Sequence, residues 1–354
     1  MSGTSLDGID IAYLETDGEA QVKRGPSATY PYTAAQQAML RQALVDATAM
    51  TKRDQRPASL REVEHALTQW HATAVESFCQ QRGLSHSNVD LIGFHGQTVL
   101  HQPEQHLTVQ LGDGAALAKA TKIPVIYDMR GADMAAGGHG APLVPVYHSA
   151  LATTRPSAFV NIGGVANVTY IGSDGKLFAF DTGPGNALIN DWMMKHMGVG
   201  LDDGGATARR GKISPAHLSV AMAHPYFSGP PPKSLDRNSF AKLDFSSLSL
   251  EDGAATLAAF TAHSVAASAK LFPEKPKQWV ICGGGRHNAA IMQGLRSLLQ
   301  GVIAADDAGF NGDSMEAEAW AYLAVRSQLG LPITYPQTTG APKPMTGGVL
   351  AKPT

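Results

Sequence analysis

The run Phe180-Asp181-Thr182-Gly183-Pro184-Gly185-Asn186 constrains this chain more than any other stretch. It stands between an apolar run over residues 177–180, short enough for a strand, and residues 187–197, which read as a helix. A carboxylate at a strand end, followed by a threonine and two glycines, makes a turn whose backbone N–H groups can converge on an anion. The same order of residues opens the chain. Gly3-Thr4-Ser5-Leu6-Asp7-Gly8 precedes a strand-like run over 9–15, in which Ile9, Ile11 and Tyr13 alternate with Asp10 and Ala12. A third cluster, Cys282-Gly283-Gly284-Gly285-Arg286-His287-Asn288, follows the apolar Trp279-Val280-Ile281. Two phosphate-type turns and one glycine-rich turn of adenosine type point to a nucleotide clasped between two lobes.

Each turn taken alone has an ordinary explanation. The first could be any hairpin turn, Asp181 could be a helix N-cap together with Thr182, and the glycines at 283–285 could serve tight strand–helix packing. Their joint occurrence at strand ends is what favours the nucleotide. No Gly-x-x-x-x-Gly-Lys-Ser/Thr run exists, which excludes a P-loop as a motif.

The intervening chain is α/β. Helices are expected over 34–50, 58–82, 114–119, 252–271 and 314–327, the second with Leu60, Val63, Leu67, Trp70, Ala74 and Phe78 at helical spacing. Strands are expected over 89–94, 107–111, 125–127 and 278–282, with a three-strand meander over 158–162, 166–171 and 177–181. His95-Gly96-Gln97-Thr98 and Asp128-Met129-Arg130-Gly131 then fall just past strand ends, where α/β ligand sites form. Residues 135–145 hold three glycines and two prolines, and the lobe crossover is placed near them. Lobe one spans 1–132 with 335–354, and lobe two 133–334. The proline-stiffened stretch 229–240 is long enough to be a functional loop.

With 354 residues, the chain can bury two cores. A formal charge of −2, with lysines and arginines scattered, gives no reason to expect nucleic acid. No apolar run approaches the roughly 20 residues of a membrane span, and no signal-peptide pattern opens the sequence. Two cysteines, Cys79 and Cys282, form no disulfide framework and fit the cytoplasm. His95 and His101 lack partners at metal-ligand spacing and read as structural or as supports behind the residues that touch a ligand.

The order of turns matches the superfamily of sugar kinases, heat-shock chaperone ATPases and actin. Within it, the segments MSGTSLDGID, GFHGQTVLHQP, DMRGADMAAGGHGAPLVP, NIGGVANVT, FDTGPGNALIND and ICGGGRHN, the helix at Glu316-Ala317 and the final TGA resemble the anhydro-N-acetylmuramic acid kinase family. The resemblance runs from Met1 to about Ala341. It implies a two-lobed actin-like ATPase fold with nucleotide in the interlobe cleft, and use of ATP with Mg²⁺. The implied reaction opens the 1,6-anhydro ring of N-acetylmuramic acid with water while phosphorylating O6, in peptidoglycan recycling. It also implies a homodimer.

On that resemblance Asp181 is the general base and Glu316 assists in placing water. Residues Gly3, Thr4, Ser5, Leu6, Asp7, Gly8, Ile9 and Asp10 form the first phosphate clasp, and Thr182, Gly183 and Gly185 the second. Gly283, Gly284, Gly285 and Asn288 face the adenosine, and Asp7 holds Mg²⁺ through water. For the sugar, Thr98 and Arg130 are the candidates, arginine suiting a lactyl carboxylate as a bidentate donor. Arg130 could instead pair with Asp128 or Asp133, and Glu316 could simply favour a helix N-terminus.

Two departures stand out. The strand that the family carries ahead of Gly3 is represented by Met1 and Ser2, which weakens the expectation for the first clasp. Leu235-Asp236 replaces a Thr-Gly pair in the 229–240 loop. The other readings of the chain are a nucleotide-gated binding protein and a catalytically weakened relative.

Overall fold

The computed structural model describes residues 1–3, 5–236 and 239–353. The chain forms two units, Met1–Leu151 with Ser314–Thr354, and Ala152–Asp313.

In the first unit β1 (Gly8–Thr16) pairs antiparallel with β2 (Val22–Pro31). Sequence pattern does not reveal β2. It is an edge strand with Lys23, Arg24, Gly25 and Pro26 largely exposed, so no apolar alternation marks it. Helix α1 (Ala34–Ala47) begins at a capping box, where the Gln36 N–H donates to the Thr33 hydroxyl and the Thr33 N–H to the Gln36 side chain. Helix α2 (Leu60–Arg82) buries Leu60, Val63, Leu67, Ala74 and Phe78 along one stripe and stops at Gly83, with φ 65°.

There follow β3 (Ile92–Gly93), β4 (Gln97–Gln102), β5 (Leu107–Leu111), α3 (Gly114–Thr121), β6 (Val125–Tyr127), α4 (Gly131–Ala135) and α5 (Pro145–Leu151). Strand β3 lies parallel to β6, and β4 antiparallel to β5. The apolar run at 89–94 thus yields a two-residue strand, and Gln97 and Thr98 begin a second one instead of continuing a loop.

In the second unit β7 (Ser157–Ile162), β8 (Val165–Ile171) and β9 (Leu177–Pro184) make the expected antiparallel meander. Then come α6 (Ala187–Met197), α7 (Pro215–Met222), α8 (Leu250–Ser268), β10 (Gln278–Cys282), α9 (Ala289–Leu298) and β11 (Val302–Ala304). The sheet order is β11-β10-β7-β8-β9, with β10 parallel to both its neighbours. Helix α8 is apolar nearly all round, from Gly253 through Leu257, Phe260 and Ala262 to Val265, and it is buried accordingly.

The chain returns to the first unit with α10 (Met315–Gln328), α11 (Pro336–Thr339) and β12 (Val349–Ala351), which lies antiparallel to β6. Helix α10 packs on β1 and β3, and the Tyr147 hydroxyl of α5 donates to buried Glu318 of α10 at 2.6 Å. These contacts draw 133–151 and 314–334 into the first unit. The boundaries fall after Leu151 and before Ser314.

Strands β1 and β3 flank a cavity of about 330 Å³ in this unit, lined by Ile11, Tyr13, Val75, Phe78, Leu91 and Ala321 among others. Ser2 bridges Ile9 antiparallel and Gln97 parallel, so β1 and these two bridges support the first turn.

Candidate active site

Asp181 sits inside β9, because the strand continues through Thr182 and Gly183 to Pro184 opposite Val165. The expectation of a carboxylate at the strand end is corrected by these added rungs. The segment 226–235 crosses the side chain. The Asp181 N–H donates to the Lys233 carbonyl at 3.0 Å, and the Leu235 N–H to Asp181 Oδ2 at 2.7 Å. The Tyr226 hydroxyl donates to the Asp181 carbonyl. Burial pushes the Asp181 carboxyl up to about 6, against the opposing pull of the Leu235 N–H. A carboxylate poised there can take a proton near neutral pH.

The residues after it serve packing. The Thr182 hydroxyl is buried and donates to the Ala166 carbonyl at 3.1 Å. A Cβ on Gly183 would lie 2.4 Å from Ser264 Cβ, and one on Gly185 2.2 Å from the Gly163 carbonyl oxygen. That carbonyl accepts from the Asn186 N–H at 2.7 Å, and the Gly164 carbonyl from the Gly185 N–H at 2.9 Å. The β7–β8 hairpin Gly163-Gly164 therefore sits directly against the start of α6. A Cβ on either of its glycines would meet nothing closer than 3.6 Å, so their backbone offers an open face. The Gly-Gly in NIGGVANVT was the signal for this turn, and it is absent from the expected site residues.

In the third cluster Gly283 has φ 71°, and a Cβ would lie 2.2 Å from Asn161 Oδ1. Gly285 is pressed equally close to Ile162, whereas Gly284 faces open space with its nearest neighbour at 3.9 Å. Asn288 caps α9 by accepting from the Ala290 and Ile291 N–H groups. Arg286 is clamped by Asp306 at 2.6 Å and Asp313 at 2.9 Å. Packing thus explains Gly283 and Gly285, and Gly284 keeps an accessible backbone.

The first unit assembles a second cluster. Arg130, where α4 begins, donates through Nη1 to the Gly140 carbonyl at 2.7 Å and through Nη2 to His95 Nε2 at 3.2 Å. That fixes the histidine tautomer. The ring proton is on Nδ1, which donates to the Ser2 carbonyl at 3.0 Å, and burial beside a guanidinium holds the imidazole neutral, well below its usual range. Trp320 carries the Arg130 guanidinium 5.3 Å from its ring centroid and packs on His95 at 4.6 Å. Glu316 stands one turn before Trp320. Burial raises its carboxyl pKa, Arg130 lowers it and Asp10 raises it further, while the side chain keeps solvent access.

The alternative pairings for Arg130 are taken. Asp128 pairs with Arg53, and Asp133 accepts from the Gly140 N–H and from the Thr334 and Thr339 hydroxyls. Thr98 on β4 accepts from Gln110 Nε2 at 3.2 Å and stands 3.5 Å from His95 Nε2. Arg130, His95, Thr98, Glu316 and Trp320 therefore form one polar, aromatic-backed group, of which sequence reading missed Trp320.

Of the first clasp, Thr4 lies outside the described residues. Ser5 and Asp7 are exposed, with the Ser5 hydroxyl donating to Asp7 Oδ1 at 2.7 Å. Leu6 has φ 57° and is buried, which turns the chain between Gly3 and β1. Gly8 must be glycine, since a Cβ would lie 2.6 Å from the Tyr30 carbonyl oxygen. Ile9 is in the core, and Asp10 accepts from the Thr29 hydroxyl at 2.6 Å. Among the described residues no group of three or more His, Cys, Asp or Glu side chains could hold a metal.

Residues 1–353 match the profile of a family described as anhydro-N-acetylmuramic acid kinase. The chain is 51% identical over its full length to the anhydro-N-acetylmuramic acid kinase of Rhodopseudomonas palustris (strain BisB18), covering 98% of that protein. It is 52% identical, again over its full length, to the protein of the same name from Brucella canis, covering 97%. Among solved structures, component A of the Acidaminococcus fermentans (R)-2-hydroxyglutaryl-CoA dehydratase aligns over 91% of this chain and 99% of its own, with 10% identity and a TM-score of 0.45. The chain is an α/β fold in two units, with the meander and its following helix as expected. By its full-length match and its relatives, this chain belongs to the anhydro-N-acetylmuramic acid kinase family.

Proposed function

We propose that the protein is an ATP-dependent kinase that opens 1,6-anhydro-N-acetylmuramic acid with water and phosphorylates O6, giving N-acetylmuramate 6-phosphate and ADP for peptidoglycan recycling. Family membership supports the substrate pair. The observation that carries the chemistry is a half-buried carboxylate held through one oxygen by a single backbone N–H, its pKa pushed up by burial. Asp181 takes a proton from water as the water oxygen bonds to the anomeric carbon. The bond from that carbon to O6 breaks, O6 bonds to the γ-phosphorus, and ADP leaves. Phosphoryl transfer of this kind depends on positioning and charge neutralisation more than on covalent help from the protein.

The Arg130 fork spends one N–H on Gly140 and one on His95, so further donors remain for a sugar carboxylate. Thr98 and Glu316 stand beside it as polar contacts. The open backbone at Gly163, Gly164 and Gly284 suits phosphates and a flat base, and Gly3 to Asp10 is the first clasp. Asp7, exposed in the first turn, would hold Mg²⁺ through water. When bound, the ion would neutralise phosphate charge. Family membership also supports a cytoplasmic homodimer, which sedimentation velocity would test. None of the described helices is long and apolar enough to cross a membrane.

The test is ADP release with and without the anhydro-sugar. Sugar-dependent turnover is expected to fall at least about 100-fold in Asp181→Asn. In the wild type kcat should decline as pH drops through about 6, because the base becomes protonated. Turnover indifferent to the sugar would favour a nucleotide-gated binding protein.

A further inference from the structure

We propose that Lys233 is a positioning residue for the Asp181 carboxylate, tying the 226–235 segment closed so that the Leu235 N–H holds Oδ2 and Oδ1 is presented to the proton. The proposal rests on the reading of Asp181 as the base.

The geometry lies within the second unit. The Lys233 ammonium donates to the Tyr226 and Gly229 carbonyls, each at 2.9 Å, and lies 4.5 Å from the Tyr226 ring centroid and 5.7 Å from that of Phe180. One cation thus joins the start of the segment to its end. Between them Pro230, Pro231 and Pro232 each fix φ and offer no N–H, so these three residues give the segment no backbone donor of their own. At the far end Lys233 accepts from the Asp181 N–H and Leu235, two residues on, donates to Oδ2. At the near end the Tyr226 hydroxyl donates to the Asp181 carbonyl. Lys233 therefore sits at the node of three contacts to Asp181, none of which its own ammonium makes.

A carboxylate has two oxygens and free rotation about one bond. A single N–H on Oδ2 stops that rotation and distinguishes the two oxygens. Leu235 supplies it from its main chain, so the residue type at 235 matters less than the position of its backbone. Among the described residues, Tyr226 interacts with Asp181, its phenol held far above its usual range by burial and by Asp181, and the Lys233 ammonium is lowered by burial.

The test uses Lys233→Met, Lys233→Arg and the wild type, with two readouts. The first is a ¹³C NMR titration of the Asp181 carboxyl, assigned by its loss in Asp181→Asn. The second is kcat and KM against pH. In Lys233→Met the carboxyl should titrate higher than in the wild type, since the Leu235 N–H that favours the ionised form is no longer held on it. The acid limb of kcat should move up with it, kcat at neutral pH should fall roughly 10-fold, and KM for both substrates should stay within about 2-fold. Lys233→Arg should recover much of both. An unmoved titration and an unmoved acid limb in Lys233→Met would overturn the proposal, whatever the variant's thermal stability. A moved titration with undiminished turnover would uphold the positioning and remove Asp181 as the base. If the Met variant does not fold, Lys233→Gln, which can bond one carbonyl but carries no charge, is read by the same criteria.

Discussion

Asp181 carries an energetic cost that its chemistry requires. A carboxylate kept in water would titrate near 4 and be a weak base, and the burial that lifts it to about 6 also disfavours its ionised form. The folded pKa lies above the unfolded one, so the unfolded chain releases this proton first as pH rises from about 4 to about 6. Through that window the group subtracts stability, and above it the loss is complete. Asparagine of the same shape can still accept from the Leu235 N–H without ionising. Asp181→Asn should therefore melt above the wild type at pH 8, by at most about 2–3 kcal/mol and less to the extent that water reaches the half-buried group. The difference should vanish near pH 4, and paired calorimetric melts at the two pH values check it. A variant that loses activity and gains stability separates a functional carboxylate from a structural one.

At the scale of elements, α10 and α2 wall a cavity that their own side chains leave unfilled. Ala321 lines it from α10, with Ile11 and Tyr13 of β1 across from it and Phe78 of α2 beside them. Ala321→Leu should add apolar contact there without displacing core atoms and raise stability by about 0.5–2 kcal/mol, read from the urea midpoint at unchanged slope. A lowered midpoint would mean that the walls close on the added side chain. The elements around this cavity also show what sequence can and cannot reveal. Helix α2 was legible because its apolar residues recur at helical spacing, and β10 because the short apolar run Trp279 to Cys282, stopped by glycines, has little else to become. Strand β2 was not, since its outer residues face water and its pairing with β1 is a long-range fact. Near the candidate site, the placement of Arg130 just past β6 was legible from motif position, whereas that of Asp181 was off by the last rungs of β9. The Leu235 N–H on Asp181 and the Trp320 ring under Arg130 join residues far apart in sequence through backbone and ring faces, which no local pattern encodes. The glycines at 183, 185, 283 and 285 were read as ligand contacts, and each is explained by a neighbour a Cβ would strike.

For the whole molecule, three buried histidines of the first unit and Asp181 of the second respond to pH in opposite directions. The first buries His71, His95 and His148 as neutral rings, with His71 and His148 lowered to about 3 and His95 also well below its usual range, all chiefly by desolvation. Below about 6.5 the unfolded chain gains a proton at each of these positions and the folded unit does not. Their contribution is present in full above that pH and is lost as pH falls. Each approaches about 1.4 kcal/mol per pH unit in the limit, so three together reach about 4 kcal/mol per pH unit. Asp181 in the second unit works the other way, adding stability as pH falls from about 6 to about 4. Native-state hydrogen exchange, corrected for the intrinsic rate, should show opening free energies in α2 and β5 dropping between pH 7 and pH 5. Those of β9 beside Asp181 should hold or rise over the same interval. A formal charge of −2 near neutrality leaves little overall repulsion to act on both units alike, so a uniform decline across β5 and β9 would mean that the buried histidines do not set the acid limit.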